Sequence, residues 1–255
     1  MPAELPTVAI PDLHNNLARL HLALTHAPPA THHLILLGDV IDHGPDARRL
    51  LTTIRAIHAT HHLQLLAGNH EELMINALYG PPGRRHPPNA IPTDAPEWRK
   101  WLTHGGQATF DNYPSSTVLL NDAEWIRVNA KRWIVRHGWL YSHATRPTPD
   151  ELQSSEHQRA QTTHDTLLWH RPRLSDDLPS LDPALIGSVH GHTPRTTPTE
   201  LTGPDAKPAW FLDLGRHHRH FAVHHNDTGV HVLTPNTRPI GPSRLPVLAR
   251  MKTSR

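Results

Sequence analysis

Short apolar runs alternate with amphipathic segments along the first seventy residues of the chain. Three runs of mainly apolar residues predict strands, and the two segments between them, in which apolar residues recur with helical spacing, predict helices. Strands that alternate with helical segments of about 10 to 15 residues are typical of an α/β layered fold. The predicted strands span residues 7–11, 34–37 and 63–67, and the predicted helices span residues 17–24 and 47–59.

Each of these three runs ends in a cluster of polar residues. In open α/β sheets, ligands bind just past the carboxyl ends of the strands. Three successive strand ends that carry Asp, Asn and His side chains therefore predict one site assembled from three loops. The clusters are Asp12-Leu13-His14, Gly38-Asp39 and Gly68-Asn69-His70.

The rest of the chain predicts one domain with an insertion. Residues 80–96 contain six prolines, which argue against a helix and favour a surface loop. No linker divides the chain, so we expect a single domain over residues 1–240, a cap-like insertion at about 80–130 and a C-terminal tail at 241–255. Later predictions are helical segments at 98–106 and 122–130, hairpins at 132–136/139–142 and 220–225/230–233, a polar helical stretch within 148–169, and strands at 185–189 and 210–214.

Composition excludes several classes of protein. The chain has 255 residues and no Cys, which excludes disulfides, thiolate nucleophiles and Cys-ligated metal centres. No apolar run approaches the roughly 20 residues that a membrane span needs, and no secretory signal is visible at the start of the sequence. We therefore expect a cytoplasmic protein without a membrane partner.

The charge balance is ordinary, whereas the histidine content is not. Lys and Arg number 25 and Asp and Glu 23, a formal net charge of only +2, which does not favour nucleic acid as a partner. His also numbers 25. Several histidines stand in clusters without an aromatic stacking platform, and we interpret these as solvated positions that titrate near pH 6.5. The clusters are His32-His33, His61-His62, residues 216–220 and His224-His225.

The polar clusters could hold two adjacent divalent cations. Such ions bind carboxylate oxygen and imidazole nitrogen, and a pair about 3.5–4 Å apart polarises a phosphoryl group and lowers the pKa of a bound water to give hydroxide. In this hypothesis Asp39 bridges the two ions, and His190 competes with His192 as the last ligand. The ligands are Asp12, His14 and Asp39 for one ion, and Asp39, Asn69, His143 and His192 for the other.

The residue after Asn69 is a candidate general acid. His70 would stand over the leaving-group oxygen, where an imidazole can donate a proton. Asp42 would orient the ring, as carboxylates orient catalytic imidazoles in other enzymes. The pattern therefore predicts phosphoester hydrolysis by a metal-bridging hydroxide, with His70 as the acid.

Five motifs, in this order, resemble those of the calcineurin-like metallophosphoesterases. The resemblance is greatest to the phosphoprotein-phosphatase branch, with bacterial serine/threonine phosphatases and symmetrical dinucleoside-tetraphosphate hydrolases as its nearest forms. It extends from about residue 7 to residue 233. The motifs are Asp12-Leu13-His14, Gly38-Asp39-Val40-Ile41-Asp42-His43-Gly44, Gly68-Asn69-His70-Glu71, Ser142-His143-Ala144 and Gly191-His192-Thr193-Pro194, with further matches at 105–109, 167–171 and 212–215.

The resemblance implies a fold, cofactors and residue roles. The fold is an α/β sandwich of two mixed β-sheets flanked by helices, and the cofactors are two divalent metal ions, Mn²⁺ first, with Fe or Zn as the other candidates. The same six ligands are implied, with His70 as the acid and Asp42 behind it. Arg171 would bind the substrate phosphate, because a guanidinium can contact two oxygens at once.

Three positions depart from the family's pattern. Pro11 and Asn15 stand where glycines are usual, and Pro11 removes an amide donor. His43 stands where an Arg normally helps to hold the phosphate. A neutral imidazole cannot form the bidentate fork of a guanidinium, so we expect His43 to bind phosphate more weakly by about 1.5–3 kcal/mol.

The sequence thus predicts a metal-dependent phosphatase that acts on phosphomonoesters, including phosphoserine or phosphothreonine in proteins. The same ligands and acid would also serve hydrolysis of a dinucleoside polyphosphate of the diadenosine-tetraphosphate type. A third interpretation, a catalytically weak metal-binding interaction protein, is favoured by Pro11 and His43 and opposed by the complete set of ligands.

Overall fold

Eleven strands form two mixed sheets in the computed structural model, which describes residues 4–81, 91–148, 152, 166–216 and 220–234. The strands are β1 (Thr7–Ile10), β2 (His33–Leu36), β3 (Leu63–Leu66), β4 (Ala130–Lys131), β5 (Trp133–Arg136), β6 (Trp139–Ser142), β7 (Gly187–His190), β8 (Thr199–Thr202), β9 (Pro208–Phe211), β10 (Phe221–His225) and β11 (Gly229–Leu233). One sheet has the order β11-β10-β1-β2-β3-β4, in which β1 to β4 run parallel. The other has the order β5-β6-β7-β9-β8, in which β6, β7 and β9 run parallel.

The helices begin and end at residues suited to those positions. The side chain of Asn16 caps the first helix by accepting the N–H of Arg19, and Pro96 opens the fourth, where a missing N–H costs no hydrogen bond. Gly80 ends the third helix with a φ of 85°. The helices are α1 (Leu17–His26), α2 (Ala47–Thr60), α3 (Asn69–Tyr79), α4 (Pro96–Trp101), α5 (Gln107–Phe110), α6 (Ser116–Asn129) and α7 (Thr166–Trp169), with a kinked turn over Leu102–Gly106 between α4 and α5.

The apolar strands of the six-stranded sheet are buried on both faces. Along and just after β2, Leu34 and Leu36 pack in the core that contains α1 and α2, whereas Ile35 and Leu37 pack in the core shared with the second sheet. This alternation explains why the strands are mainly apolar on both faces, since each face of the strand meets a hydrophobic layer. The fold predicted from the sequence, two mixed sheets flanked by helices, is confirmed.

Some elements differ from the sequence prediction. Helix α3 and strands β4 and β8 were not indicated by the pattern, and residue 130, predicted to end a helix, begins β4 instead. The strand predicted at 210–214 lies earlier, at Pro208–Phe211. Helix α4 begins at the last proline of the 80–96 segment. Residues 82–90, most of the polar stretch within 148–169, and the 241–255 tail lie outside the described residues, so the predictions there stay predictions.

The interpretation of the histidine clusters as solvated is wrong for two pairs. His32, His33, His224 and His225 are each no more than 7% exposed. The ring centre of His224, on the first sheet, lies 4.4 Å from that of Trp139, on the second sheet. Strands β2 and β10 are both buried along their whole length, and His32, just before β2, is buried too, so these imidazoles belong to the interior of the protein.

Candidate metal centre

Five strands bring candidate ligands to one edge of the two sheets. Asp12 lies two residues after β1, Asp39 three residues after β2, and Asn69 at the start of α3, three residues after β3. From the second sheet, His143 directly follows β6 and His192 lies two residues after β7. Within each sheet these strands run parallel to a neighbour, so their carboxyl ends share one edge, and ligand atoms from the two sheets meet there.

Two groups of ligand atoms converge at this edge, and Asp39 is common to both. Within each group the atoms lie within 4.8 Å of one another. Asn69 adds its Oδ1 to the second group, 3.1 Å from Nε2 of His143. The structure therefore brings all six predicted ligands together in the division that the sequence indicated. The groups are Asp12, His14 and Asp39, and Asp39, His143 and His192.

The ring orientations of His14 and His143 fit a role as ligands. Nδ1 of His14 lies 3.2 Å from the carbonyl oxygen of Ile41, and Nδ1 of His143 lies 2.8 Å from that of Leu37. A carbonyl only accepts hydrogen bonds, so each Nδ1 donates, which leaves Nε2 directed at the site as the atom that would bind an ion. Metal-binding imidazoles commonly donate their other N–H to a backbone carbonyl in this way.

The same arrangement separates His192 from its rival His190. His192 bonds to the carbonyl of Trp169, and its buried Nε2 has no hydrogen-bond partner, which is the state expected of a ligand without its ion. His190 is instead bonded through both nitrogens, to the hydroxyls of Ser142 and Ser188. The structure thus places His192 in the site and His190 in the protein interior.

The carboxylate of Asp12 occupies a tight cradle. It is 1% exposed and accepts the backbone N–H of His192 at 3.0 Å, and a Cβ at Gly191 would overlap its oxygen. Burial first, and the charge of Asp213 next, raise the pKa of Asp12 well above its ordinary value. A divalent cation would relieve this repulsion, because it stabilises the ionised carboxylates.

Asp39 is also buried, but the charged neighbours that affect it most are imidazoles rather than a carboxylate. Burial alone raises the pKa of Asp39, but the imidazoles of His143 and His70 outweigh it and lower that pKa well below its ordinary value. The backbone N–H of His70 donates to its Oδ1 at 3.1 Å. Asp39 is therefore ionised at neutral pH. Buried oxygen and nitrogen donors of this kind fit divalent ions.

Strained backbone is concentrated at the same edge. Residues other than glycine rarely adopt positive φ, and such strain is often found at functional sites. Asn15, one of the departures from the family's pattern, has a φ of 54°, a conformation that Asn tolerates better than most residues. The site residues with positive φ are His14 (45°), Asn15 (54°), Asp39 (48°), Asp42 (71°), His43 (66°) and His192 (60°).

His70 and Asp42 form a buried pair beside the ligands. Nδ1 of His70 donates to Oδ2 of Asp42 at 2.8 Å, and its Nε2 lies 3.9 Å from Oδ2 of Asp39. Burial alone lowers the pKa of His70, but the charge of Asp39 and the contact with Asp42 outweigh it and raise that pKa to about 9. The imidazole is therefore protonated at neutral pH and can act as an acid.

Two residues between α3 and α6 also hold Asp42, and the sequence analysis assigned neither of them to the site. The indole N–H of Trp101 lies 3.1 Å from Oδ2, and the hydroxyl of Thr109 donates to Oδ1 at 2.6 Å. Trp101 is fully buried, and its indole also orients the carboxylate that orients His70. Nothing in the sequence around either residue predicted a contact with Asp42.

Glu71 is a third residue whose role the sequence analysis did not assign. Its carboxylate is 1% exposed and accepts the backbone N–H groups of Asp39, Val40 and Gly68 at 2.8–2.9 Å. It thereby ties the loop after β2 to the start of α3. A signal was available, because Glu three residues after a helix N-cap commonly bonds back to the backbone.

The Gly68→Ala substitution is expected to weaken metal binding. Gly68 has a φ of −99°, which any residue adopts, so the change adds only a Cβ. That Cβ would overlap the Oδ1 and the amide of Asp39, so the loop must shift. We expect at least about a tenfold loss of Mn²⁺ affinity, measured by competition with a chelator. Wild-type affinity in the variant would contradict this close fit.

The two candidate phosphate-binding residues lie at the border of the site. His43 is half-buried, with its ring 5.0 Å from those of His14 and His70. Burial, and next the charge of His14, lower its pKa to about 4, so it is neutral at physiological pH. Arg171 is exposed, and its charge contributes to the lowered pKa of His192.

Comparison with known proteins gives a family and a fold. The family described as calcineurin-like phosphoesterase matches residues 5–231. No curated protein sequence matches the chain. Within the described residues, no helix combines the length and apolar character needed to cross a membrane.

Solved structures with the same fold include three phosphatase-related proteins. A protein serine/threonine phosphatase from Saccharomyces cerevisiae, with similarity to human phosphatase PP5, matches with a TM-score of 0.61 and 11% identity over 93% of this chain and 82% of that one. A candidate diadenosine tetraphosphatase matches with a TM-score of 0.56 and 17% identity over 92% and 96%. A cold-active protein tyrosine phosphatase matches with a TM-score of 0.51 and 16% identity over 92% and 83%. Together with the family match over most of its length, the ordered motifs and two-sheet fold show that the chain belongs to the calcineurin-like phosphoesterase family.

Proposed function

We propose that the protein is a metal-dependent phosphatase that hydrolyses phosphomonoesters, including phosphoserine or phosphothreonine in proteins. The observation that supports this most directly is the sharing of Asp39 by two ligand groups, with the His70–Asp42 pair beside them. We propose two ions bound by the six ligands named above. Mn²⁺ is the first candidate because the donors combine carboxylate and amide oxygens with imidazole, and Fe or Zn are the others.

In this proposal His70 protonates the leaving group. Its Nδ1 is committed to Asp42, so the proton on Nε2 is the one directed at the ligand groups. Transfer of that proton to the leaving oxygen avoids an alkoxide as the product. When bound, the two ions supply a polarised phosphoryl group and a water of lowered pKa. Arg171 and His43 are the residues we propose to contact the phosphate oxygens.

A second candidate is hydrolysis of a phosphoanhydride in a dinucleoside polyphosphate. The same ligands and the same acid would serve it, and the fold similarity to a candidate diadenosine tetraphosphatase covers 96% of that chain. The difference would lie in the predicted insertion at about 80–130, which includes Trp101 beside Asp42.

The experiment compares four substrates with one preparation. The full chain, loaded with Mn²⁺, is assayed between pH 5 and 9 with p-nitrophenyl phosphate, bis-p-nitrophenyl phosphate, a phosphoserine peptide and diadenosine tetraphosphate. We expect the monoester and the peptide to be hydrolysed with higher kcat/KM than the other two. Preference for diadenosine tetraphosphate would favour the second candidate, and bound ions without any turnover would favour the interaction protein.

Restoring the expected arginine should strengthen phosphate binding. The His43→Arg variant replaces a neutral ring by a guanidinium that can contact two phosphate oxygens. We expect inorganic phosphate to inhibit this variant about 10- to 100-fold more strongly than wild type, which corresponds to about 1.5–3 kcal/mol. An unchanged inhibition constant would mean that His43 does not face the phosphate.

A further inference from the structure

Three imidazoles meet in a triangle at the border of the site. The ring centres of His14, His43 and His70 are 5.0 Å apart in all three pairs. The planes cross at 66° to 82°, so the rings stand edge to face rather than stacked. One ligating nitrogen of each ring lies within 4.8 Å of the other two.

This spacing is the spacing of a tris-imidazole metal site. Zinc binds imidazole nitrogen at about 2.0–2.1 Å in tetrahedral geometry, which puts the ring centres roughly 3.2 Å from the ion and roughly 5 Å from one another. Among the described residues, other close pairs such as His26 and His231 lack a third ligating group in reach.

The surrounding structure holds each ring in place. His14 and His70 donate from Nδ1 to Ile41 and Asp42, so their Nε2 atoms are the ones left for an ion. The Nδ1–Cε1 edge of His43 lies against Gly105, where a Cβ would overlap it. The site is thus built from one proposed metal ligand, His14, the proposed acid, His70, and a residue that the family's pattern does not place there, His43.

From this geometry we propose that Zn²⁺ binds His14, His43 and His70 as a site alternative to the Asp12–His14–Asp39 group. Both positions need Nε2 of His14, so they cannot be filled together. Manganese favours the oxygen-rich group, whereas zinc accepts three imidazoles and a water. Zinc at this site displaces the proton of His70 Nε2 to solvent, so this ring then has no proton to donate to a leaving group. If the proposed function holds, excess zinc therefore inhibits the enzyme.

Metal binding without substrate tests the site itself. The chelator-stripped full chain is titrated with Zn²⁺ against a chromophoric chelator, and with Co²⁺, whose tetrahedral complexes absorb strongly in the visible range. We expect His43→Gln and His43→Arg to bind zinc at the three-histidine site about tenfold or more weakly than wild type does. Both variants should also lose the visible absorption of tetrahedral Co²⁺. The exposed His61→Gln variant is the matched control and should keep the wild-type zinc affinity and cobalt absorption. Unchanged zinc affinity and cobalt spectra in both His43 variants would overturn the proposal.

Activity measurements then separate this proposal from the proposed function. Each protein is assayed with Mn²⁺ and rising Zn²⁺, and its rate is divided by its own rate without zinc. We expect excess zinc to inhibit wild type and His61→Gln, and both His43 variants to resist. Zinc binding through His43 in a protein that hydrolyses nothing would overturn only the proposed function. Hydrolysis with zinc inhibition independent of His43 would overturn only the zinc site.

Discussion

The His70→Asn variant is expected to lose about 10²- to 10⁴-fold in kcat on an alkyl phosphate while it keeps its manganese. His70 donates to Asp42 and has a pKa of about 9, so at neutral pH it carries the proton that the leaving oxygen needs. Its removal takes away the acid but none of the six ligands. The measurement is kcat together with metal content on the same preparation.

The leaving group sharpens this test. A p-nitrophenolate leaves without much help from an acid, so the loss should be several-fold smaller on p-nitrophenyl phosphate than on the alkyl ester. The exposed His61→Asn variant is the matched control and should keep wild-type rates. Loss of metal from His70→Asn would make His70 a ligand, and equal losses on both substrates would argue against its role as the acid.

The His224→Phe variant is expected to remove part of the protein's sensitivity to acid. His224 is 1% exposed, neither ring nitrogen has a hydrogen-bond partner, and burial lowers its pKa to about 4. The unfolded chain, with a pKa near 6.5, therefore binds a proton that the folded chain refuses as pH falls from 6.5 to 4. Protonation of this residue in the unfolded chain alone should lower the free energy of unfolding by about 2 kcal/mol between pH 7.5 and pH 5.

Urea unfolding of chelator-treated protein at the two pH values measures this contribution. Wild type should lose about 2 kcal/mol more free energy of unfolding than His224→Phe over that range. Val223→Ala, on the same strand, is the control: it destabilises by creating a cavity and should leave the pH dependence as in wild type. An identical pH dependence in wild type and His224→Phe would contradict the burial of a neutral imidazole.

Local pattern was sufficient for strands β1, β2 and β3 of the first sheet and for half of the site. Asp12, Asp39 and Asn69 each follow an apolar run, and strand ends of a parallel sheet meet at one edge. His143 and His192 come from the second sheet, whose pairing with the first leaves no local signal. The two-ion hypothesis added them as further ligands, and the resemblance of their motifs to a known family supported that assignment.

The parts that sequence reasoning missed depend on contacts between distant residues. Trp101 and Thr109 hold Asp42 across 59 and 67 positions, and nothing in their neighbours marks that contact. The burial of His224 was hidden because a strand buried on both faces does not alternate, so a polar residue in it looks like a surface position. Glu71 was predictable in principle from its place in the first turn of α3.

The most direct test of a two-ion hydrolytic site is metal content and turnover measured on one sample of the full chain. Protein stripped by a chelator is titrated with Mn²⁺, and bound metal and p-nitrophenyl phosphate hydrolysis are recorded at each step. Two ions per chain are expected, with turnover appearing as the second binds, and with Asp39→Asn weakening both because Asp39 belongs to both groups. Full turnover by the stripped protein, or saturation without binding of two ions, would contradict the site described above.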